Sequence, residues 1–568
     1  TIVGTQKEVA SLIKVTNNFK QLIVFTNETD FAVLNIPSNK IKYRRKNQNS
    51  FLYAMAISAD NKYLATGGFD SKISLFNIAT GEKLLNIFTP FGLDFVAADT
   101  NGNYLANKKS LEGLSFKLND KIFDFDQFDI KFNRPDLILQ QTIYGDTTLI
   151  EAYKKAVTKR IKKAGYNNAN EIQTTQLPLV MLKDQSELEL FTNQDTVETL
   201  VECSDGRYPI KALHITVNNN PLYGFAGMPL GNTSTDTIIN IKIPLAIGKN
   251  DIKIFCNNSM GQTSLQQKLE INSRYTTTTK PKTWFVGIGV SNYKNTSMNL
   301  RYAAKDIRDL VGTFANKNDT TITYSIDTLI DNNATLSNIL AIKQKLLQAN
   351  INDKVIIAVT GHGLLNKDLD FYYATYDVDF DNPEKNGLKY EQLEFLLDGV
   401  GAQNKLLLID ACHSGALDKE EILASKQKIF VKSEGKDTGS ISTDARSTIK
   451  IKKSKVSLNN TLELMQNMFA DVSNSNGAVV ISAAGGLEYA FESPQWNNGV
   501  FTYCVRKGIE ELAADDDPES GNYDFDVSVQ ELMKYVSKKV SELTNGKQRP
   551  TSRRENLEFD WILKYYKR

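Results

Sequence analysis

Two stretches of this chain carry residue types that could do covalent chemistry. Val355-Ile-Ile-Ala-Val-Thr-Gly-His-Gly363 is an apolar run that closes on His362 between two glycines. Leu406-Leu-Leu-Ile-Asp-Ala-Cys-His-Ser-Gly415 is another, closing on Cys412 among small residues. The whole chain holds 3 histidines and 4 cysteines, so two such displays mark a pair rather than an accident. A thiol attacks carbon only as the thiolate, and a neighbouring imidazole can lower its pKa or take its proton. Cys412 therefore reads as a nucleophile and His362 as its base. His413 is the rival base, but it adjoins Cys412 in sequence and its side chain should diverge.

The elements that must position this pair follow from periodicity. From Trp284 onward the chain alternates apolar runs with helical patterns. Trp284–Val290, Val355–Val359, Leu406–Ile409 and Ala478–Ser482 read as buried strands, and Leu300–Phe314 as an amphipathic helix. That alternation predicts an α/β domain with a mainly parallel central sheet, and ligands bind beyond the carboxyl ends of such strands. His362 and Cys412 both lie just past one.

The motifs carry a resemblance. Thr360-Gly-His-Gly363, Asp410-Ala-Cys-His-Ser-Gly415, Ala304-Lys-Asp306, Ile481-Ser-Ala-Ala-Gly485 and Asn498-Gly-Val-Phe-Thr-Tyr503 occur in an order and spacing that resemble the caspase-like cysteine peptidases. Within these, residues 283–568 look most like the metacaspases and their bacterial relatives. The separation of 50 residues between His362 and Cys412 is also the one seen in caspases. The resemblance implies a Cys412–His362 dyad, with His362 later serving as acid to the leaving amine. It also implies an oxyanion hole formed by the backbone amides of Gly363 and Cys412.

Charge then bears on specificity. Caspases that cut after aspartate carry glutamine two residues before the cysteine; this chain has Asp410 there. A carboxylate at the pocket floor favours Arg or Lys at P1 and repels Asp. Asp306 matches the second pocket carboxylate of metacaspases, and Thr360 a pocket-lining hydroxyl. The plain alternative for Asp306 is a helix-surface carboxylate beside Lys305 and Arg308.

The segment 418–460 lacks apolar periodicity and is rich in Ser, Thr, Lys and Asp. In caspase-like enzymes the corresponding segment is often self-cleaved, and Lys432, Lys436, Arg446 and Lys453 would suit a basic specificity. A solvated insertion without regulatory role is the competing reading. No metal site is expected and no cofactor required. Calcium is weighed at Asp377-Val-Asp-Phe-Asp381 and not favoured, because the spacing is not that of a dedicated calcium loop.

The remainder of the chain argues architecture. At 568 residues it is too long for one core. Asn35, Asn77 and Asn119 end similar strand–turn–strand units and are spaced 42 apart, a period typical of propeller blades. Residues 1–120 are thus read as partial WD-repeat-like blades, with Phe76-Asn77 where Trp-Asp usually sits. Three blades do not close a ring, so either earlier blades lie upstream of Thr1 or the region is an open remnant; an unrelated sheet is the alternative. Residues 121–175 read as a helical connector whose Lys154–Lys163 charges form a solvated face. Residues 176–275 read as an immunoglobulin-like β-sandwich in which Cys203 and Cys256 are core thiols, a disulfide being the lesser alternative. Residues 280–568 form the peptidase domain.

The net charge of +1 supplies no field for nucleic acid or an anionic membrane. No apolar run approaches bilayer length and no secretory signal opens the chain. Sparse cysteines suit a reducing cytoplasm. The expectation is a cysteine endopeptidase acting on a protein substrate, with a protein regulator bound by the N-terminal modules. The alternative is a catalytically silent caspase-like scaffold that binds peptides.

Overall fold

The computed structural model describes residues 10–26, 30–46, 51–89, 94–107, 110–111, 114–118, 120–142, 147–163, 166–172, 174–184, 188–231, 233–277, 279–315, 322–366, 370–411, 432–433, 436–437, 444–445, 476–483, 491–554 and 560–565. These fall into two compact units, one ending at Thr174 and the other running from Thr175 to Arg568.

The first unit opens with two antiparallel meanders. The strands Ala10–Val15, Gln21–Thr26, Asp30–Asn35 and Lys40–Lys46 form one sheet. Leu52–Ile57, Tyr63–Gly68, Lys72–Asn77 and Lys83–Phe88 repeat it, each beginning 42 or 43 residues after its counterpart, and two further strands extend that sheet. The repeat has a local cause. Asn35 accepts the amide of Ser38 at 3.0 Å, and Asn77 that of Ala79 at 2.8 Å, so each asparagine side chain makes the turn out of the third strand. Helices Phe125–Phe132, Pro135–Gln141 and Thr147–Lys163 follow. Lys154, Lys155, Lys159 and Lys162 are exposed, but Arg160 departs from the solvated face expected of it. It is buried in an ion pair with Asp129, which Tyr104 also hydrogen-bonds. A charge this deep requires that partner.

In the second unit, the strands Leu179–Leu182, Thr196–Ser204 and Asp236–Pro244 form one sheet, and Ile210–Val217, Gly248–Asn258 and Gln267–Ser273 the centre of another. The alternating inner residues Val201, Leu213, Ile215, Ile241, Ile243 and Ile254 share one core. Cys203 and Cys256 are buried in that core as free thiols.

The α/β region that follows is built on a six-stranded sheet. We label its strands β1 (Lys282–Gly289), β2 (Thr323–Ile330), β3 (Lys354–Gly361), β4 (Asn404–Ala411), β5 (Ala478–Ser482) and β6 (Thr551–Arg554), in spatial order β2-β1-β3-β4-β5-β6. All neighbours are parallel except β5 and β6. The apolar runs are continuous because both faces are covered. Val355, Ile357, Leu407 and Ile409 point to one core, shared with helices α2 (Leu336–Leu346) and α3 (Tyr390–Phe395). Ile356, Ala358, Leu406 and Leu408 point to the other, against α1 (Ala303–Phe314), α4 (Val500–Glu510) and α5 (Val529–Leu543). Helix α1 lies close on β1 because position 287 is glycine; a Cβ there would run into the Ile307 side chain.

The sandwich meets the α/β region through polar groups. Asn218 Nδ2 donates to Gln403 Oε1 at 2.8 Å, Asn220 Nδ2 to the Gly401 carbonyl at 3.1 Å, and the Phe225 amide to Asp398 at 2.8 Å. At the centre is Lys405, at the start of β4 and wholly buried. Its Nζ donates to Asn220 Oδ1 at 2.6 Å, the Asn476 carbonyl at 2.8 Å and the Leu397 carbonyl at 3.3 Å. Three donors thus meet three acceptors from three separate chain segments. Burial still lowers its pKa to about 7, Asp398 opposing and Lys343 adding to the effect.

Candidate active site

The register of β3 and β4 aligns the two motifs up to their strand ends. Thr360 lies opposite Asp410, and Gly361 opposite Ala411. His362 and Cys412 are each the next residue in sequence. Neighbouring strands run about 4.8 Å apart, so Gly361 and Ala411 end the two strands side by side at the carboxyl end of the sheet. Cys412 and His413 lie outside the described residues, as do Arg446 and Lys453. Lys432 and Lys436 fall in two short paired strands, Lys432–Ser433 and Lys436–Asp437.

His362 is buried and held on every side the structure describes. Its Nε2 lies 2.8 Å from the Met298 carbonyl, which can only accept; Nε2 therefore carries a proton, and Nδ1 is the nitrogen that can take one. Its ring packs against Tyr293 at 5.2 Å between centroids and against the edge of Phe380 at 5.8 Å. Its backbone amide donates to the Tyr293 hydroxyl at 3.0 Å. The Met298 carbonyl ends a short 3-10 turn, Thr296–Met298, whose N-cap is Asn295. Sequence reasoning missed it, because a backbone carbonyl leaves no signature in residue type. By contrast His214, in the sandwich, stacks on Phe255, and burial lowers its pKa to about 4.

Gly361 makes the approach possible. Its φ is +153°, and a Cβ there would come within 2.8 Å of the Tyr293 hydroxyl and 3.1 Å of the Tyr373 ring. Both tyrosines work locally, since the Tyr373 hydroxyl donates to the Thr360 carbonyl at 3.1 Å. Gly361→Ala should cost about 1–3 kcal/mol in stability from backbone strain and disturb the His362 ring. Thermal unfolding and peptide hydrolysis, measured together, should both fall; an unchanged variant would refute the role given to this glycine.

Gly363 opens the strand Gly363–Leu365, which pairs with Phe371–Tyr373. Thr360 is buried, and its hydroxyl donates to the Ala303 carbonyl at 2.6 Å. That bond ties the end of β3 to the first turn of α1, where Asp306 sits. Asp306 is also fully buried rather than on the helix surface. Its Oδ1 accepts from Asn498 Nδ2 at 2.8 Å, and the Gly499 amide approaches both oxygens at 3.3 Å. Asp410, 2% exposed, accepts from the Thr502 hydroxyl at 2.7 Å through Oδ2. The two carboxylates named from sequence are therefore both hydrogen-bonded by the start of α4, where the helix dipole is positive. Asn498, Gly499 and Thr502 were legible only as part of a motif, without roles.

Beside them, Asn498 Nδ2 also reaches Asp309 Oδ2 at 2.7 Å, and Arg506 pairs with Asp309 at 3.1 Å. Burial acts to raise the Asp309 pKa, but the hydrogen bonds from Lys305 and Asn498 and the Arg506 charge outweigh it and hold it below the usual carboxylate range.

The acidic run 377–381 lies in a turn that its own side chains help to form. Asp379 Oδ1 accepts the amides of Asp381 and Asn382 at 3.1 and 3.2 Å, and Asp377 Oδ2 accepts from Asn386 at 3.0 Å. These carboxylates stabilise their own turn. Among the described residues no group of three or more His, Cys, Asp or Glu could hold a metal ion. Among them, too, no helix is long and apolar enough to cross a membrane.

With the sheet, its strand-end histidine and the buried carboxylates in place, the comparisons give the class. Residues 284–561, just under half of the chain, match the family model described as Caspase domain. That match supports a caspase-like domain in this part of the chain, which suggests cysteine peptidase activity. No curated protein matches the chain. A solved structure described as "Structure of U3-55K" is 16% identical over 18% of this chain and 37% of that one, with a TM-score of 0.15. A likeness that slight says nothing about fold.

Proposed function

We propose that the chain is a cysteine endopeptidase that cuts protein substrates after Arg or Lys through a Cys412–His362 dyad. One observation carries the reading: the β3–β4 register, which sets the residues before His362 and Cys412 opposite each other within a region that matches the caspase domain.

His362 Nδ1 takes the Cys412 proton while Nε2–H remains on Met298. The sulfur bonds the substrate carbonyl carbon, and the carbonyl electron pair moves to oxygen. The amides of Gly363 and Cys412 stabilise that oxyanion. Collapse breaks the C–N bond, His362 protonates the leaving amine, and a thioester remains. Water, deprotonated by the same imidazole, then attacks the thioester; the acid leaves and the proton returns to sulfur.

Asp410 and Asp306 supply the negative charge that recognises the P1 cation, and Thr360 anchors the helix start that carries Asp306. The N-terminal blades and the sandwich bind a protein regulator, the 418–460 segment is the site of self-cleavage, and the enzyme works in the cytoplasm without a cofactor. A panel of fluorogenic peptides differing only at P1 tests the specificity. Arg and Lys should lead, and Asp410→Asn should lower kcat/KM for them about 10- to 100-fold, the worth of a charged hydrogen bond. A clear preference for Asp at P1 would sink the assignment.

A further inference from the structure

We infer that Thr502 is a positioning residue for P1 recognition, its hydroxyl fixing the direction in which Asp410 presents its charge. The inference rests on the basic specificity proposed above.

Helix α4 begins at Val500 with Gly499 as N-cap, and Thr502 is its third residue, fully buried. Threonine is not a strong helix former, and inside a helix its hydroxyl commonly turns back to a carbonyl one turn earlier. Here the hydroxyl donates across to β4, at 2.7 Å from Asp410 Oδ2. Valine has nearly the same shape and would fill the same buried position. What threonine adds at this position is a donor.

The same helix start holds the second carboxylate by different means. Asp306 is met by the Gly499 amide and by Asn498, and Asn498 is oriented in turn by Arg506, whose guanidinium donates to its Oδ1 at 3.0 Å. Asp306 is thus met by a backbone amide and a side-chain amide, and Asp410 by a side-chain hydroxyl that one substitution removes. A guanidinium needs a carboxylate held in plane for a two-point contact, whereas an ammonium is a point charge and tolerates rotation. Removing this one donor from Asp410 should therefore harm Arg more than Lys.

The test uses the full chain with matched Arg and Lys P1 peptides. Thr502→Val should raise KM for the Arg peptide about tenfold, change kcat less than twofold, and shrink the Arg-to-Lys preference. Thr502→Ser, which restores the donor, should return both to the wild-type values. An unchanged KM and ratio in Thr502→Val, a fall in kcat alone, or failure of serine to rescue would each overturn the inference. If the valine variant does not fold, Thr502→Ala supplies the same donor deletion without placing a methyl group against Asp410. A wild type with no basic preference fails the proposed specificity itself; a wild type that prefers Arg and is insensitive to Thr502→Val fails only this step.

Discussion

Cys412→Ala should abolish peptide hydrolysis, lowering kcat/KM by about 10⁴- to 10⁶-fold, as removal of one member of a catalytic unit does in peptidases. His362→Ala should cost nearly as much, and the double variant little more, because the thiolate and its base act as one device. The reason is electronic: without imidazole the thiol is mostly protonated at neutral pH, and without sulfur the imidazole has nothing to activate. A P1-Arg fluorogenic peptide measures all three variants. Activity of Cys412→Ala within tenfold of wild type would remove Cys412 from the chemistry. The same variant reads self-processing by intact mass. A cut within 418–460 that appears in wild type and vanishes in Cys412→Ala supports it, and a cut that persists rules it out.

Lys405→Met should change the pH dependence of the stability of the second unit. In the folded chain burial lowers the Lys405 pKa to about 7, while an unfolded lysine titrates near about 10.4. Between those values the unfolded state binds more protons, so stability rises with pH there, by up to about 1.4 kcal/mol per unit. Below about pH 7 both states are protonated and the burial penalty is full and constant; above about 10.4 both are neutral and it is gone. Methionine keeps the stem and removes the titration. The stability of wild type minus that of Lys405→Met should therefore climb by about 3–4 kcal/mol from pH 6.5 to pH 10. Denaturant melts followed by tryptophan fluorescence suit the measurement, since Trp284, Trp496 and Trp561 all lie in this unit. A difference that stays flat across this range would refute a buried, titrating Lys405. Lys405→Ala tests the packing side: it leaves a cavity and strips donors from Asn220, Leu397 and Asn476, and should destabilise by about 3–5 kcal/mol.

Both predictions start from β4, and they divide differently between sequence and fold. The strand itself is legible as Leu406–Ile409, because a strand covered on both faces must be apolar at every position. Cys412 and His362 are legible because reactive side chains framed by glycine and small residues stand out from their surroundings. The 42-residue repeat is legible because Asn35 and Asn77 make the same turn in the two copies that the structure describes.

Lys405 is a different case. A lysine opening a strand reads as an exposed end, and only folding brings Asn220, Leu397 and Asn476 around it, Asn220 from 185 residues earlier. Arg160 on its helix misleads in the same way. The Met298 carbonyl on His362 could not be read at all, since every residue has a carbonyl and folding alone selects which one meets the ring.

The sequence by itself determined the reactive residue types, their placement after apolar strands, and the acidic residues beside them. The tertiary structure decided which groups meet: the β3–β4 register, the tautomer of His362, and the union of Asp306 and Asp410 at one helix start. Residue type and local pattern are properties of the chain within a turn or two. Hydrogen-bond partners such as Thr502 and Asp410, 92 residues apart, exist only once packing has closed the distance between them.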